Sequence, residues 1–265
     1  MIASARLSGG SAFRLLGLAF LGLSAPLVVA SVAARAADLR VESPYVEKGE
    51  VEIEYQGYRT FDSNAAQDNE QKHKIGLAYG VTDFWATEIY GGWKRSPGGK
   101  THFDATEWEN RFQLSERNEY FVDLGFLVEY EHVRDRNNDA DELAFGPIVA
   151  KDIGRTSTTA NLILQRQLGP HAASGVALTY RLQERWRLME TFEPAIEAYG
   201  NLGAIDNFDS PNRQEHMAGP AIQGRFRHLG WLPGKLRYNI GYLFGMTSAT
   251  AAGTLKSVIE YEIRF

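Results

Sequence analysis

The chain has 265 residues, a formal charge of -5, 12% aromatic residues, 26 glycines and no cysteine. Without cysteine there is no disulfide framework, no lipid-modified N-terminal cysteine and no thiolate chemistry. The acidic balance argues against nucleic acid as a partner.

Arg6 and Arg14 precede an apolar run from Leu15 to Ala34, which Pro26 interrupts and Ala34-Arg35-Ala36 closes. A basic start, an apolar stretch and a small-residue tripeptide make a secretory signal, with cleavage expected after Ala36. Residues 1–36 hold three arginines and no acid, so their loss takes the formal charge from -5 to -8. Beyond Ala36 no stretch approaches the ~20 consecutive apolar residues of a spanning helix. The expected organisation is a signal peptide at 1–36, an N-terminal periplasmic segment at 37–48 and one domain at 49–265.

That domain alternates along its length. Val51, Ile53 and Tyr55 alternate with Glu52, Glu54 and Gln56, and Ile75, Leu77, Tyr79 and Val81 with Lys74, Gly76 and Ala78. Weaker segments fall near 85–94 and 104–115, where Asn110 sits in phase with Trp108 and Phe112 and a bulge would restore the pattern. Tyr120, Val122, Leu124, Phe126, Val128 and Tyr130 alternate with Asp123, Glu129 and Glu131. Further weak segments lie near 142–152, 157–167 and 189–199, the last two flanking Val176, Leu178, Tyr180 and Leu182. Ala218, Pro220, Ile222, Gly224 and Phe226 share one face, as do Leu236, Tyr238, Ile240, Tyr242 and Phe244. The last segment is the cleanest: Leu255, Ser257, Ile259, Tyr261, Ile263 and Phe265 alternate with Lys256, Val258, Glu260, Glu262 and Arg264. A period of two with one apolar and one charged face is a strand, and about twelve strands of this length predict an all-β, closed antiparallel transmembrane barrel. An even count returns both ends to the periplasmic side.

The connections are expected to alternate in length. Short ones fall at Thr82-Asp83, Glu116-Arg117-Asn118, Gly154-Arg155, Glu184-Arg185 and Gly230 to Gly234, and longer polar ones near 61–71, 95–102, 132–141, 167–174, 200–213 and 246–253. Trp85, Trp93, Tyr130, Trp186 and Trp231 stand at strand ends, where interfacial girdles place aromatics.

With its signal, its alternating strands and its last strand Tyr261-Glu262-Ile263-Arg264-Phe265, the chain resembles Gram-negative outer-membrane barrels of the porin-like or transporter-like kind. The resemblance implies outer-membrane lipid and lipopolysaccharide as surroundings, and docking to the barrel-assembly machinery through the C-terminal strand. The stretch Tyr79-Gly80-Val81-Thr82-Asp83-Phe84-Trp85, taken with Pro44 and Gly49 to Tyr55, resembles transporter-like barrels found beside aromatic-degradation and metal-resistance genes, and brings no substrate with it.

The inward phase carries both signs of charge, and the expected pore-lining residues are Glu52, Glu54, Lys74, Glu109, Arg111, Asp123, Glu129, Arg181, Arg185, Arg225, Arg237, Glu260 and Glu262. In a narrow lumen such groups either line water or pair with one another. His73, His102, His132, His171 and His216 fall at the outward ends of their strands, with Asp104, Asp135 and Asp139 nearby. Imidazoles around one rim could bind a transition metal or gate by pH, yet none has the spacing of a metal motif, so no metal and no cofactor is expected. Asp206, Asn207, Asp209 and Asn212 could hold a hard cation but lack the EF-hand pattern. G-x-S-x-G is absent, and Ser174 near His171 and Ser248 are isolated candidates for a lipid-acting hydrolase, so no enzyme is expected. The expected function is a channel or facilitator that passes a small polar or charged solute through a charged lumen.

Overall fold

The computed structural model describes residues 38–135, 139–227, 230 and 233–264. The expected signal peptide and its cleavage site, Trp231 and Phe265 lie outside the described residues.

The strands are β1 (Glu50–Phe61), β2 (Gln71–Gly80), β3 (Trp85–Arg95), β4 (His102–Gln113), β5 (Asp123–Val133), β6 (Asp141–Ile153) and β7 (Thr156–Leu168). They continue with β8 (Ala177–Trp186), β9 (Glu193–Ala204), the two-residue β10 (Asn207–Phe208), β11 (Glu215–Phe226), β12 (Lys235–Gly245) and β13 (Gly253–Arg264). Each pairs antiparallel with its neighbours in sequence, apart from β10, which folds back on the end of β9 and leaves β11 to take the place beside it. β1 pairs with β13 from Glu50↔Arg264 to Phe61↔Gly253, and β8 pairs with β9. Twelve strands thus form a closed barrel with β10 as a short appendage, and closure leaves no long unpaired edge.

Burial follows the sequence period. Glu50, Glu54, Gln56, Tyr58 and Thr60 of β1 are buried while Ile53 is 51% exposed. Outward positions elsewhere carry Ile75, Leu77, Ile89, Trp108, Ile196, Phe244 and Leu255, all exposed, and inward positions carry Lys74, Glu88, Glu107, Arg181 and Lys256, all buried. A chain that exposes its large apolar side chains and buries its charges suits hydrocarbon outside, because the closed ladder leaves no open strand edge there. Trp85 and Trp186 lie at one end of their strands and Trp93 and Tyr130 at the other, as an aromatic girdle requires.

Several details differ from expectation. The register of β4 runs unbroken through Asn110, which pairs with Thr87 and Val128, and the bulge falls instead at Gly92/Trp93. Asn110 needs no bulge, because the Trp85 indole Nε1 donates to its Oδ1 at 3.1 Å. Tyr120 and Val122 belong to the connection 114–122 and precede β5. The Glu184-Arg185 turn lies inside β8, and β9 begins at Glu193 and runs to Ala204, so the flanking connections are 187–192 and 205–214. One barrel end therefore carries 81–84, 114–122, 154–155, 187–192 and 227–234, and the other 62–70, 96–101, 134–140, 169–176, 205–214 and 246–252. The contrast in length is weaker than expected. The start of β1 and the end of β13 share the first end, which marks it as periplasmic.

Candidate functional site

The barrel interior is where the chemistry collects. Glu52, Glu54, Lys74, Glu109, Arg111, Asp123, Glu129, Arg181, Arg185, Arg225, Arg237, Glu260 and Glu262 all occupy the inward phase of their strands. Into their midst runs the segment 38–48. Its side chains and backbone bind interior groups, so it does not stay in the periplasm as expected.

The segment's contacts give its course. Val46 N donates to Gln113 Oε1 at 2.9 Å, and the Tyr45 hydroxyl donates to Asp123 Oδ2 at 2.6 Å, both near the periplasmic end. Further in, Glu42 and Asn161 exchange two hydrogen bonds: Glu42 N to Oδ1 at 2.7 Å, and Asn161 Nδ2 to the Glu42 carbonyl at 2.9 Å. Arg40 sits at mid-height, its guanidinium 2.8 Å from Glu54, 3.2 Å from Glu42 and 3.4 Å from both Glu88 and Glu260. Leu39 packs with Tyr58, Tyr199 and Leu243, and the Tyr199 hydroxyl donates to its carbonyl. Asp38 reaches the outer half, where Lys74 approaches to 2.6 Å and Lys72 to 3.4 Å.

Most of the other described interior charges are also paired, although Glu109 Oε1 is buried without a hydrogen-bond partner. Arg111 bridges Glu42 and Glu88, Lys74 also meets Glu107 at 2.7 Å, and Lys256 meets Glu197 at 2.6 Å and the Tyr199 hydroxyl at 2.8 Å. Buried charges persist only when matched in this way, since an isolated ion in a low-dielectric interior costs several kcal/mol. A second, apolar patch lies on neighbouring strands, where Leu127, Ala144, Ile148 and Ile163 point inward.

The segment fills one side of the lumen and leaves the other partly open. Between it and the strands from β7 to β13, in the periplasmic half, lies a cavity of about 360 Å³. Its wall includes Ser157, Gln183, Arg185, Gln223, Arg225, Arg237, Asn239 and Glu260. At the layer of Asp38, Leu39, Tyr58 and Lys74 lies a much smaller cavity of about 10 Å³. Leu39 and Arg40, with the side chains packed on them, fill mid-height.

The histidine rim does not converge. His73 and His216 each share a hydrogen bond with a tyrosine hydroxyl, Tyr55 at 2.8 Å and Tyr180 at 2.9 Å, and each touches a nearby glutamine. His132 contacts Asp141 and His102 the Lys100 carbonyl. Among the described residues the groups that could share a metal ion contain carboxylates only, Asp38 with Glu107 and Glu129, and Glu50 with Glu52 and Glu262, and lysine or arginine already neutralises both. Among the described residues no serine hydroxyl bonds a histidine; Ser248 Oγ donates to the Asn212 carbonyl.

Asp38, Arg40, Glu42, Tyr90, Asn161 and Tyr199 were not among the expected interior residues. Their signal was faint: Asp38-Leu39-Arg40-Val41-Glu42 alternates like a strand, but it is too short to announce where it lies.

An apolar outer band, a closed antiparallel wall and a charged interior define an outer-membrane β-barrel protein. No family model matches the chain, and no curated protein matches it. Among solved structures it is similar to the outer membrane protein OprD from Pseudomonas aeruginosa, at 9% identity and a TM-score of 0.39, over 82% of this chain and 66% of that one. It is also similar to the CymD monoaromatic hydrocarbon channel, at 8% identity and a TM-score of 0.40, over 83% and 89% of the two chains. Likeness of this extent carries no argument about what the barrel passes or binds.

Proposed function

We infer that the protein is an outer-membrane channel for small polar or charged solutes, held closed by its own N-terminal segment. The observation that supports this reading most is the way the segment is attached. Residues 38–48 form no ladder with any strand and are held by side chains, so they can leave without opening the barrel. On departure, water would enter and solvate the carboxylates that Arg40 now neutralises, which removes the main cost of breaking those pairs. The cavity beside the segment already supplies a polar vestibule on the periplasmic side.

The closed lumen also favours a second reading, a purely structural barrel with a fixed internal strut. Conductance separates the two. The mature protein in a planar bilayer is expected to be mostly closed with brief openings, and Arg40→Ala combined with Asn161→Ala to stay open far longer. A variant lacking residues 38–46 that folds yet stays silent would retire the channel reading in favour of the strut.

A further inference from the structure

Among the described residues, interior arginines of this barrel have carboxylate partners, whereas those at the outer end of the lipid-facing surface have none. Arg59 and Arg95 stand opposite Gln71 in the paired strands β1, β2 and β3, all three on the outward phase. Adjacent strands lie about 4.8 Å apart, so the two arginine backbones are about 10 Å from one another, within joint reach of one small anion. Among the described residues neither pairs with a carboxylate. Arg59 leans over the Phe61 ring at 5.2 Å, and Arg95 Nε is buried without a hydrogen-bond partner. Arg134 and Arg166, also exposed at the outer ends of outward faces, extend the basic belt past β5 to β7.

The surface below this pair is apolar. Trp93 stacks edge-on to Phe103 one step inward of Arg95, and Ile75 and Leu77 continue down β2. Gly57 and Gly91 interrupt this outward surface on β1 and β3, the first lying beneath the Tyr55 hydroxyl and His73. A partner must therefore present phosphate-like charge at the membrane boundary and hydrocarbon beneath it. Guanidinium forks match phosphate in geometry and charge, and headgroup phosphates concentrate at this depth. We propose that Arg59 and Arg95 form a docking site for a phosphate of the outer-leaflet glycolipid, its acyl chains lying along the outward face of β2 and β3.

The site does not depend on whether the barrel conducts, so it can be tested on any folded form. The full mature protein would be refolded in nanodiscs and its retained lipid quantified by mass spectrometry, with bisphosphorylated lipid A and fully dephosphorylated lipid A as probes. Folding of each variant is checked by heat-modified mobility. The wild type is expected to retain the phosphorylated form at least tenfold better, and Arg59→Ala with Arg95→Ala to erase that preference. Arg59→Lys with Arg95→Lys should keep part of it, and Arg155→Ala, in the opposite connection, should leave it intact. Equal retention of the two lipids, or no loss in the double alanine variant, would overturn the assignment. Displacement of the lipid by millimolar inorganic phosphate would also overturn it, because the site would then take free phosphate.

Discussion

At the scale of single residues, charge is handled differently inside and outside the barrel. Within the lumen most of the described ions are answered at close range, as Arg40 shows with four carboxylates around one guanidinium. At the periplasmic end Glu190, exposed in the connection 187–192, accepts hydrogen bonds from Arg227 at 2.7 and 2.9 Å and from Arg225 at 3.1 Å. These bonds, Arg227's first, hold its carboxyl down from 4.5 to about 2. A depressed carboxyl contributes stability that is complete above the unfolded value and disappears as pH falls through the folded one. The melting temperature of the wild type should therefore exceed that of Glu190→Gln by a constant margin down to about pH 4.5, and the margin should close as pH approaches 2. A margin that persists at pH 2, or that widens on acidification, would contradict this sign. Glu190 itself was invisible as a functional partner in the sequence, because its arginines lie 35 and 37 residues away, near the end of β11 and just past it.

At the scale of elements, two strands carry the same interruption. Gly146-Pro147 in β6 and Gly219-Pro220 in β11 both put glycine inward and proline outward, and at both the ladder to the following strand skips two pairs. Proline has no N–H to donate, so pairing is lost there. The glycine closes the gap: a Cβ on Gly146 would lie 1.9 Å from the Leu162 carbonyl oxygen, and one on Gly219 2.0 Å from that of Tyr242. These obstacles are backbone and cannot rotate away. Gly146→Val should thus destabilise the barrel by about 3 kcal/mol, at the upper end of what overpacking costs, while Pro147→Ala changes little; urea unfolding of both variants decides, and equal effects would refute the argument. Most strands were legible because one face is apolar and one charged. β6 and β7 were harder, since Ile148 and Ile163 turn inward while Val149 and Leu162 turn outward, which erases the period of two. The plug was harder still: alternation tells one face of a sheet from the other, and residues 38–48 belong to no sheet.

At the scale of the whole molecule, the course of the N-terminal segment ties folding to export. The chain rises from Gly49 at the periplasmic rim to Asp38 beside Lys72 and Lys74 in the outer half of the lumen. A chain that still carried the signal expected at 1–36 would have to thread it past the narrow layer of Leu39, Tyr58, Tyr199 and Leu243 before Asp38 could reach Lys74. Removal of the signal is therefore expected to precede insertion of the segment, and a cleaved chain is the form that can close. Ala36→Arg, which spoils the small-residue site, should accumulate a precursor whose residues 38–46 exchange amide hydrogens freely, whereas in the processed protein Glu42 N and Val46 N are protected by Asn161 and Gln113. If the precursor assembled with the same protection at those two amides, processing and plugging would be independent. Otherwise, on the proposed reading, the cut expected after Ala36 would also free the segment that fills the lumen.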